Sequence, residues 1–181
     1  MSFLDRLAAS VTPAASDEQR VEARSKIESM VPGEAWLGAI VDQHKEIESL
    51  FAEARAASVG ADRRETVRKL SSLLTGHATA EEAVVYPIMS EDSGKTHAAM
   101  AYEEHAMTKI QLSKLERMDP MSEEWAEKLE HIQSAVQQHI YQEEHSWLPD
   151  LVENTPDHKK IVLNRRFAEE FNRYRRTADA V

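Results

Sequence analysis

The feature that most limits the fold of this chain is a segment that occurs twice. Residues 77–87 and 139–149 each begin with a histidine, carry two glutamates four and five residues later, and end with a proline. A further histidine precedes each copy by 33 or 34 residues, His44 in the first unit and His105 in the second. A doubled set of imidazoles and carboxylates indicates a site for two metal ions.

These polar residues interrupt apolar stripes whose spacing is three or four residues, which is typical of the buried face of an amphipathic helix. One stripe consists of Val67, Leu70, Leu74, His77, Glu81, Val84 and Ile88. A buried carboxylate costs several kcal/mol unless it is paired or binds a metal. Residues four apart on a helix also point the same way, so each His-x-x-x-Glu pair can approach one metal centre.

The pattern therefore predicts a pair of metal ions held between four helices. The predicted ligands are His44, His77, Glu81, His105, His139 and Glu143. We assign the first two histidines to one ion and the other two to the second, with both glutamates as bridges. A nitrogen-rich set with oxygen bridges and no sulfur suits two iron ions, and manganese or zinc less well.

The expected fold is all-α. Scarce Gly and Pro and long helical stripes favour an antiparallel up-down-up-down four-helix bundle with extra N- and C-terminal helical segments. The predicted bundle helices span roughly 34–58, 62–89, 96–117 and 122–152. We predict three parts: an N-terminal helical appendage at 1–32, the bundle at 33–153 and a C-terminal helix at 154–181.

The terminal parts carry their own helix signals. Phe3, Leu4 and Leu7 predict a short apolar helix, and Ser16 is the expected N-cap of a second one. Thr155 followed by Pro156 predicts the capped start of the C-terminal helix. One face of that helix carries Phe167, Phe171 and Tyr174.

Composition excludes several kinds of protein. Without cysteine the chain has no disulfide, thiolate zinc site or iron–sulfur cluster. A formal charge of -10 argues against sequence-independent nucleic-acid binding, which needs a basic surface. No apolar run could span a bilayer, and the first residues are too charged for a secretory signal. We expect a cytoplasmic protein with neither nucleic-acid nor membrane partners.

Over roughly residues 34–152 the chain resembles the hemerythrin and HHE cation-binding family, because it has a lone His, a His-x-x-x-Glu, a second lone His and another His-x-x-x-Glu. The resemblance implies a non-haem di-iron centre in a four-helix bundle, with ligand roles for the six residues named above. Oxygen-carrying hemerythrins have a histidine four residues before the position of His105, where this chain has Ala101. They also have an Asp five residues after the last histidine, where this chain has Glu144.

The missing histidine leaves one metal with fewer nitrogen ligands than in the oxygen carriers. In this respect the chain resembles the more varied bacterial HHE proteins. One hypothesis is a di-iron protein that binds O2, NO or peroxide, for sensing or detoxification. The alternative is a non-enzymatic protein that stores, donates or senses iron through a protein partner. The sequence leaves open whether the chain is an enzyme, and it identifies no catalytic residue.

Other polar residues receive simpler interpretations. Glu82 and Glu144 lie about 140° around the helix from their histidines, so we expect them in solvent. The alternative is that they support the metal ligands or bind a metal themselves as terminal ligands. We expect Tyr102 to pack in the core, the alternative being a place beside the metals. His97 is expected near a helix start. The histidines predicted to lie on the surface are His131, His145 and His158.

Overall fold

The structure is a computed structural model that describes residues 14–92 and 95–178. This part of the chain contains helices and no strand. The elements are α1 (Asp17–Met30), α2 (Ala35–Ala56), α3 (Gly60–Ala80), the π-helical turn π1 (Glu81–Val85), α4 (Tyr86–Asp92), α5 (Lys95–Leu115), α6 (Glu123–Gln142), the π-helical turn π2 (Glu143–Trp147), α7 (Leu148–Asn154) and α8 (Asp157–Ala178).

The predicted all-α fold is confirmed. The four bundle helices correspond to α2, to the continuous run α3–π1–α4, to α5 and to the run α6–π2–α7, and their ends lie within about three residues of the predicted ones. The short helix predicted at Phe3 to Leu7 falls outside the described residues. None of the described helices is long and apolar enough to cross a membrane.

Two helix starts show why the chain enters a helix where it does. The hydroxyl of Ser16 accepts a hydrogen bond from the backbone N–H of Gln19, and the backbone N–H of Ser16 donates to the side-chain oxygen of Gln19. This reciprocal pair is a capping box, so the predicted N-cap of α1 is confirmed. The prediction for α8 is wrong by one residue. There the carbonyl of Pro156 accepts the first helical bonds, and the buried hydroxyl of Thr155 has no hydrogen-bond partner among the described residues.

Four helices surround the core of the molecule. Helix α2 packs against α3 and α6, and α5 packs against the same two, so the four close into a ring. Helix α8 covers α3 and π1 on one side, while α1 covers π2 and α7 on the other. Ala23 and Ile27 of α1 are buried, so this predicted appendage contributes to the core.

The interior consists of two apolar clusters with a polar layer between them. One cluster includes Trp36, Ile40, Ala101 and Trp147, among others. The second cluster includes Ile47, Leu74, Leu112 and Val136. Along α2, His44 lies between Ile40 of the first cluster and Ile47 of the second, and the other three predicted histidine ligands interrupt their helices in the same way. The polar layer therefore sits deep in the core, where water cannot solvate it.

Helix α8 lies close to the bundle because α3 has a glycine at the contact. A Cβ atom added to Gly76 would lie 2.9 Å from Cδ1 of Tyr174 and 3.3 Å from Cε2 of Phe171. These two aromatic residues, with the fully buried Phe167, form the face that the sequence predicts for this helix. Their contact with α3 fixes α8 against the helix that carries His77.

Candidate metal centre

The six predicted ligands meet in the polar layer. The histidines come from four different helices, His44 from α2, His77 from α3, His105 from α5 and His139 from α6. Glu81 and Glu143 are the first residues of π1 and π2. All six side chains are buried, and three of them have no exposed surface at all: His44, Glu81 and Glu143.

Each carboxylate reaches one histidine of each predicted metal pair. Oε2 of Glu81 lies 3.1 Å from Nε2 of His77 and 3.6 Å from Nε2 of His105. The oxygens of Glu143 lie 3.2 Å from Nε2 of His44 and 3.5 Å from Nε2 of His139. Both glutamates thus stand where a bridge between two ions would stand.

The donor atoms form two groups that share a carboxylate. The first consists of His44, His77, Glu81 and Glu143, and its ligand atoms lie within 4.8 Å of one another. A second group, held to the same limit, consists of Glu81, His105 and His139. These groups match the pairing of histidines predicted from the sequence, and each is compact enough to surround a single ion.

A metal would satisfy atoms that the protein leaves without hydrogen bonds. Nε2 of His44, Oε1 of Glu81 and Oε2 of Glu143 are buried, and none of them makes a well-aligned hydrogen bond to a described residue, although Nε2 of His44 lies 3.2 Å from Oε2 of Glu143. Each such buried polar atom costs about 1–3 kcal/mol. All three belong to predicted ligands and lie in the polar layer, so the residues present fit a metal pair.

In each of the four predicted ligand histidines, the second ring nitrogen, Nδ1, faces an oxygen acceptor. Nδ1 of His44 lies 2.7 Å from Glu144, and Nδ1 of His77 lies 2.8 Å from the side-chain oxygen of Gln43. In the other half, Nδ1 of His105 lies 3.1 Å from Glu82, and Nδ1 of His139 lies 2.7 Å from Glu104. An acceptor at Nδ1 keeps the proton there and leaves the Nε2 lone pair for a metal.

The expectation that Glu82 and Glu144 point into solvent is wrong. Glu144 is buried, and the side chain of Glu82 is 27% exposed with its Oε1 shared between His105 and Lys109. The π-helical turns explain the error. Each turn holds one residue more than an α-helical turn, so the rotation assumed for an α-helix does not apply beyond Glu81 and Glu143.

The repeated proline accounts for the position of these turns. In π1 the N–H of Tyr86 donates to the carbonyl of Glu81, five residues back, and in π2 the N–H of Leu148 donates to that of Glu143. Pro87 and Pro149 come next, and a proline ring inside a helix clashes with the carbonyl four residues earlier. Those carbonyls lie within the π turns, where the wider backbone accommodates the ring.

Tyr86 belongs to the site, although it was not predicted there. Its side chain is fully buried, and its hydroxyl donates to Glu143 at 2.9 Å and to Glu81 at 3.3 Å. The same oxygen lies 3.2 Å from Nε2 of His105. Its position five residues after Glu81 was the available signal, because the backbone hydrogen bond of a π-helix joins residues five apart.

Other candidates lie outside the site. Tyr102 is 40% exposed, so the prediction that it packs in the core is wrong. Its hydroxyl donates to the backbone carbonyl of Glu82, and its ring meets that of Tyr86 edge-on with 5.4 Å between centroids. His97 is exposed near the start of α5 and stacks on Trp147. The predicted surface histidines are confirmed as exposed: His131, His145 and His158.

Protons occupy the metal-free cluster in place of cations. Burial lowers the pKa of His44, but the carboxylates of Glu143 and Glu144 outweigh it and raise that pKa to about 9. Burial, with the charge of Glu143, raises the pKa of Glu81 well above its usual range. Burial would also raise the pKa of Glu143, yet His139 and His44 hold it far below the usual range. One ionised carboxylate therefore faces a charged imidazole.

A family model described as the Hemerythrin HHE cation binding domain matches residues 37–151. This chain belongs to that family. The matched residues include all six predicted ligands, so cation binding by this HHE domain and the buried His/Glu cluster support one another.

A curated protein is similar in sequence to part of this HHE protein. It is a "DNA nickase" from Nostoc sp. (strain PCC 7120 / SAG 25.82 / UTEX 2576), 27% identical over 101 residues. The aligned region covers 56% of this chain and 29% of the relative, so the chain spans less than a third of that protein's length. No solved structure matches the chain.

Proposed function

We propose that this chain is a non-haem di-iron protein that binds O2, NO or peroxide, for sensing or detoxification. The observation that carries the proposal is the crosswise contact of the two buried carboxylates, each within 3.6 Å of one histidine from either predicted pair. His44 and His77 would hold one iron, His105 and His139 the other, and Glu81 and Glu143 would bridge them.

Iron suits this donor set best. Four imidazole nitrogens and two carboxylates, without sulfur, favour a borderline metal over magnesium or calcium, which prefer oxygen alone. Manganese and zinc fit the same donors less well. Iron would also supply one-electron changes of oxidation state, which reactions with O2 and peroxide use.

The ligand count supports small-molecule binding. With both glutamates bridging, each ion would receive two imidazole nitrogens and two carboxylate oxygens from the chain, which leaves positions open for a ligand. The Tyr86 hydroxyl lies between both carboxylates and His105, so it can hold a proton beside a bound ligand. Burial raises the pKa of Tyr86 well above its usual range, and the adjacent carboxylates raise it further, so that proton stays on the oxygen.

Burial of the site favours a resident metal pair over iron donation. The ligands are buried, and each Nδ1 is fixed by an acceptor, so an ion could leave only after several side chains moved. An iron store or donor needs exposed, exchangeable ligands. We therefore place iron handling second.

We also infer the finer organisation of the molecule. Short connections between ring neighbours support the up-down-up-down order of the bundle. The boundaries at residues 32 and 153 and a cytoplasmic location remain part of the proposal. The charge of -10 supports small ligands rather than nucleic acid as partners, and the proposal includes no membrane partner.

The first test is iron content with ligand binding by the whole chain. We expect two irons per chain, and a change in the absorption spectrum when O2, NO or peroxide is added to the reduced protein. One metal or none per chain would refute the di-iron centre. Two irons whose spectrum responds to none of the three ligands would favour iron storage.

A pair of tyrosine variants sharpens this test. Tyr86→Phe should keep both irons but slow the reaction with peroxide by about 100-fold or more, since it removes the hydroxyl that can donate a hydrogen bond to a bound ligand. Tyr102→Phe is the matched control, because that hydroxyl meets only the backbone of Glu82 among its described partners. Equal rates for the two variants would show that the Tyr86 hydroxyl does not act on the bound ligand.

A further inference from the structure

An arginine of helix α1, which lies outside the ring of four helices, reaches the site. Nε of Arg24 lies 2.7 Å from both carboxylate oxygens of Glu144, and Oε1 of Glu144 lies 2.7 Å from Nδ1 of His44. We propose that Arg24 is a positioning residue, which acts through Glu144 to hold His44 in the orientation that binds metal. The proposal rests on the metal pair proposed above.

The burial of Glu144 makes the arginine necessary. Its side chain is 2% exposed, so water cannot compensate its charge, and the neighbours that do so are Arg24 and His44. The single N–H at Nε of Arg24 is shared between both oxygens, and this charged contact holds the carboxylate in a fixed orientation. Since one of those oxygens also meets Nδ1 of His44, the plane of the carboxylate sets the direction in which the imidazole ring faces. Without Arg24, Glu144 would have freedom to rotate or to draw in water.

In the second half of the site, at His105, the supporting carboxylate is also paired with a cation, but that cation comes from one of the four bundle helices. Nδ1 of His105 meets Oε1 of Glu82, and that oxygen is 2.9 Å from Nζ of Lys109. Lys109 lies one turn after His105 on α5, so the cation belongs to the bundle itself. In the first half the cation comes from α1. The two halves therefore differ in which helix supplies the cation that pairs with the histidine's supporting carboxylate.

This difference predicts that Arg24 affects one metal and not the other. Loss of Arg24 should disturb His44, a ligand of the ion that His77 also holds, while the His105 and His139 ion keeps its support. Supporting partners of metal-binding histidines contribute about 10–100-fold to metal affinity. Release of one iron should accelerate by that factor, and release of the second should stay as in the unmodified protein.

The experiment follows iron release from the full chain after an excess of chelator is added, with absorbance reporting each iron. We expect Arg24→Gln to release one iron about 10–100-fold faster than the unmodified protein and the other at an unchanged rate. Arg24→Lys should lie between, because it keeps the charge but replaces the rigid, planar guanidinium with a flexible ammonium. Arg20→Gln is the matched control: Arg20 lies one turn earlier on α1, pairs with Asp17 and the carbonyl of Ala15, and should release both irons at the normal rates.

A double-variant cycle separates positioning of His44 from simple loss of α1 packing. In a Glu144→Ala background, which removes both oxygens that link Arg24 to His44, Arg24→Gln should add little. If it accelerates release as much there as in the unmodified protein, α1 acts through packing and the proposal is overturned. Equal release rates for Arg24→Gln and Arg20→Gln would overturn it as well. An unmodified chain that binds fewer than two irons would instead refute the proposed function.

Discussion

At the scale of single residues, adjacent glutamates perform different tasks. Glu81 faces the Nε2 atoms of two histidines, whereas Glu82, the next residue, meets Nδ1 of His105. The first lies where a metal ligand would lie, and the second holds the ring of such a ligand. The pair Glu143 and Glu144 repeats this division in the second copy.

Substitution of these neighbours should separate the two tasks. Glu81→Gln removes a charged oxygen shared by both ions, so the two-iron spectrum should disappear. Glu82→Gln keeps an acceptor for His105, so two irons should remain and their release should accelerate by at most about tenfold. Iron content and chelator kinetics of identically prepared variants measure both effects. Retention of iron by Glu81→Gln together with its loss from Glu82→Gln would mean that the register of the helix is wrong.

The protons of the metal-free cluster predict how affinity depends on pH. Carboxylates outweigh burial and raise the pKa of His44 to about 9, so below that pH the metal-free imidazole is charged. A metal requires the neutral Nε2, so binding must release that proton, and affinity should rise from about pH 7 and level off near pH 9. Anaerobic iron(II) titrations in buffers of different ionisation enthalpy would count the protons released. An affinity that does not change with pH would contradict this assignment.

Part of this residue-scale arrangement was predictable from the sequence. The six inner residues follow from the repeat and the helical spacing, because buried polar residues on the apolar faces of several helices need a common partner. Their supporting residues repeat too, since Gln43 precedes His44 just as Glu104 precedes His105. A regular α-helical rotation hid the role of Glu82 and Glu144, and Arg24 lies in a part of the chain that has no repeat.

At the scale of helices, the π-helical turns decide which side chains enter the site. Without the extra residue, the side chain five positions after Glu81 would turn away from the bundle interior, whereas Tyr86 is fully buried there. The same turn in the other copy lets both Glu143 and Glu144 face inward. Periodicity located these helices to within about three residues but assumed a single repeat length throughout.

Another helix-scale prediction concerns the contact between α3 and α8. Gly76→Ala would place a methyl group 2.9 Å from Cδ1 of Tyr174, so it should destabilise the protein by about 1–3 kcal/mol. That sign is informative, because alanine is normally the better helix former by about 1 kcal/mol. Thermal unfolding of the variant measures the cost. In a Tyr174→Ala background the same change should be neutral or stabilising, and an equal cost there would contradict the close contact.

At the scale of the whole molecule, the polar layer divides the hydrophobic core. The two apolar clusters lie on either side of it, and the layer contains buried atoms without hydrogen bonds. In the metal-free chain these groups are compensated by protons and by one another, as in the pair of charged His44 and ionised Glu143, at the cost of burying charge. The two apolar clusters alone would suggest a bundle that is stable without metal. Because of the polar layer, we expect the free energy of unfolding to depend strongly on bound metal.

Removal of the metal should lower the stability of the full chain. A ligand present at about a thousand times its dissociation constant adds about 4 kcal/mol, and for a domain of this size each kcal/mol shifts the melting temperature by about 2–4 °C. The metal-free protein should thus melt roughly 8–16 °C lower, and added iron should restore it. Calorimetry or circular dichroism measures this. Equal melting temperatures would show that the polar layer gains nothing from metal.

The fold as a whole was more predictable than its covering helices. Apolar stripes specified the four bundle helices, because each must bury one face. The same patterns did not show that α1 contributes Ile27 to the core and Arg24 to the site, since a single short helix carries no information about what it will cover.

The crosswise support of the histidines bears on how such a chain could have arisen. Glu144 of the second unit orients His44 of the first, and Glu82 of the first orients His105 of the second. This reciprocal exchange is the contact pattern of a twofold-symmetric dimer, in which each surface meets its own copy. A half-length ancestor could have assembled the same pocket only by pairing with itself, and fusion of its two genes would have freed each half to diverge, as Gln43 and Glu104 have done.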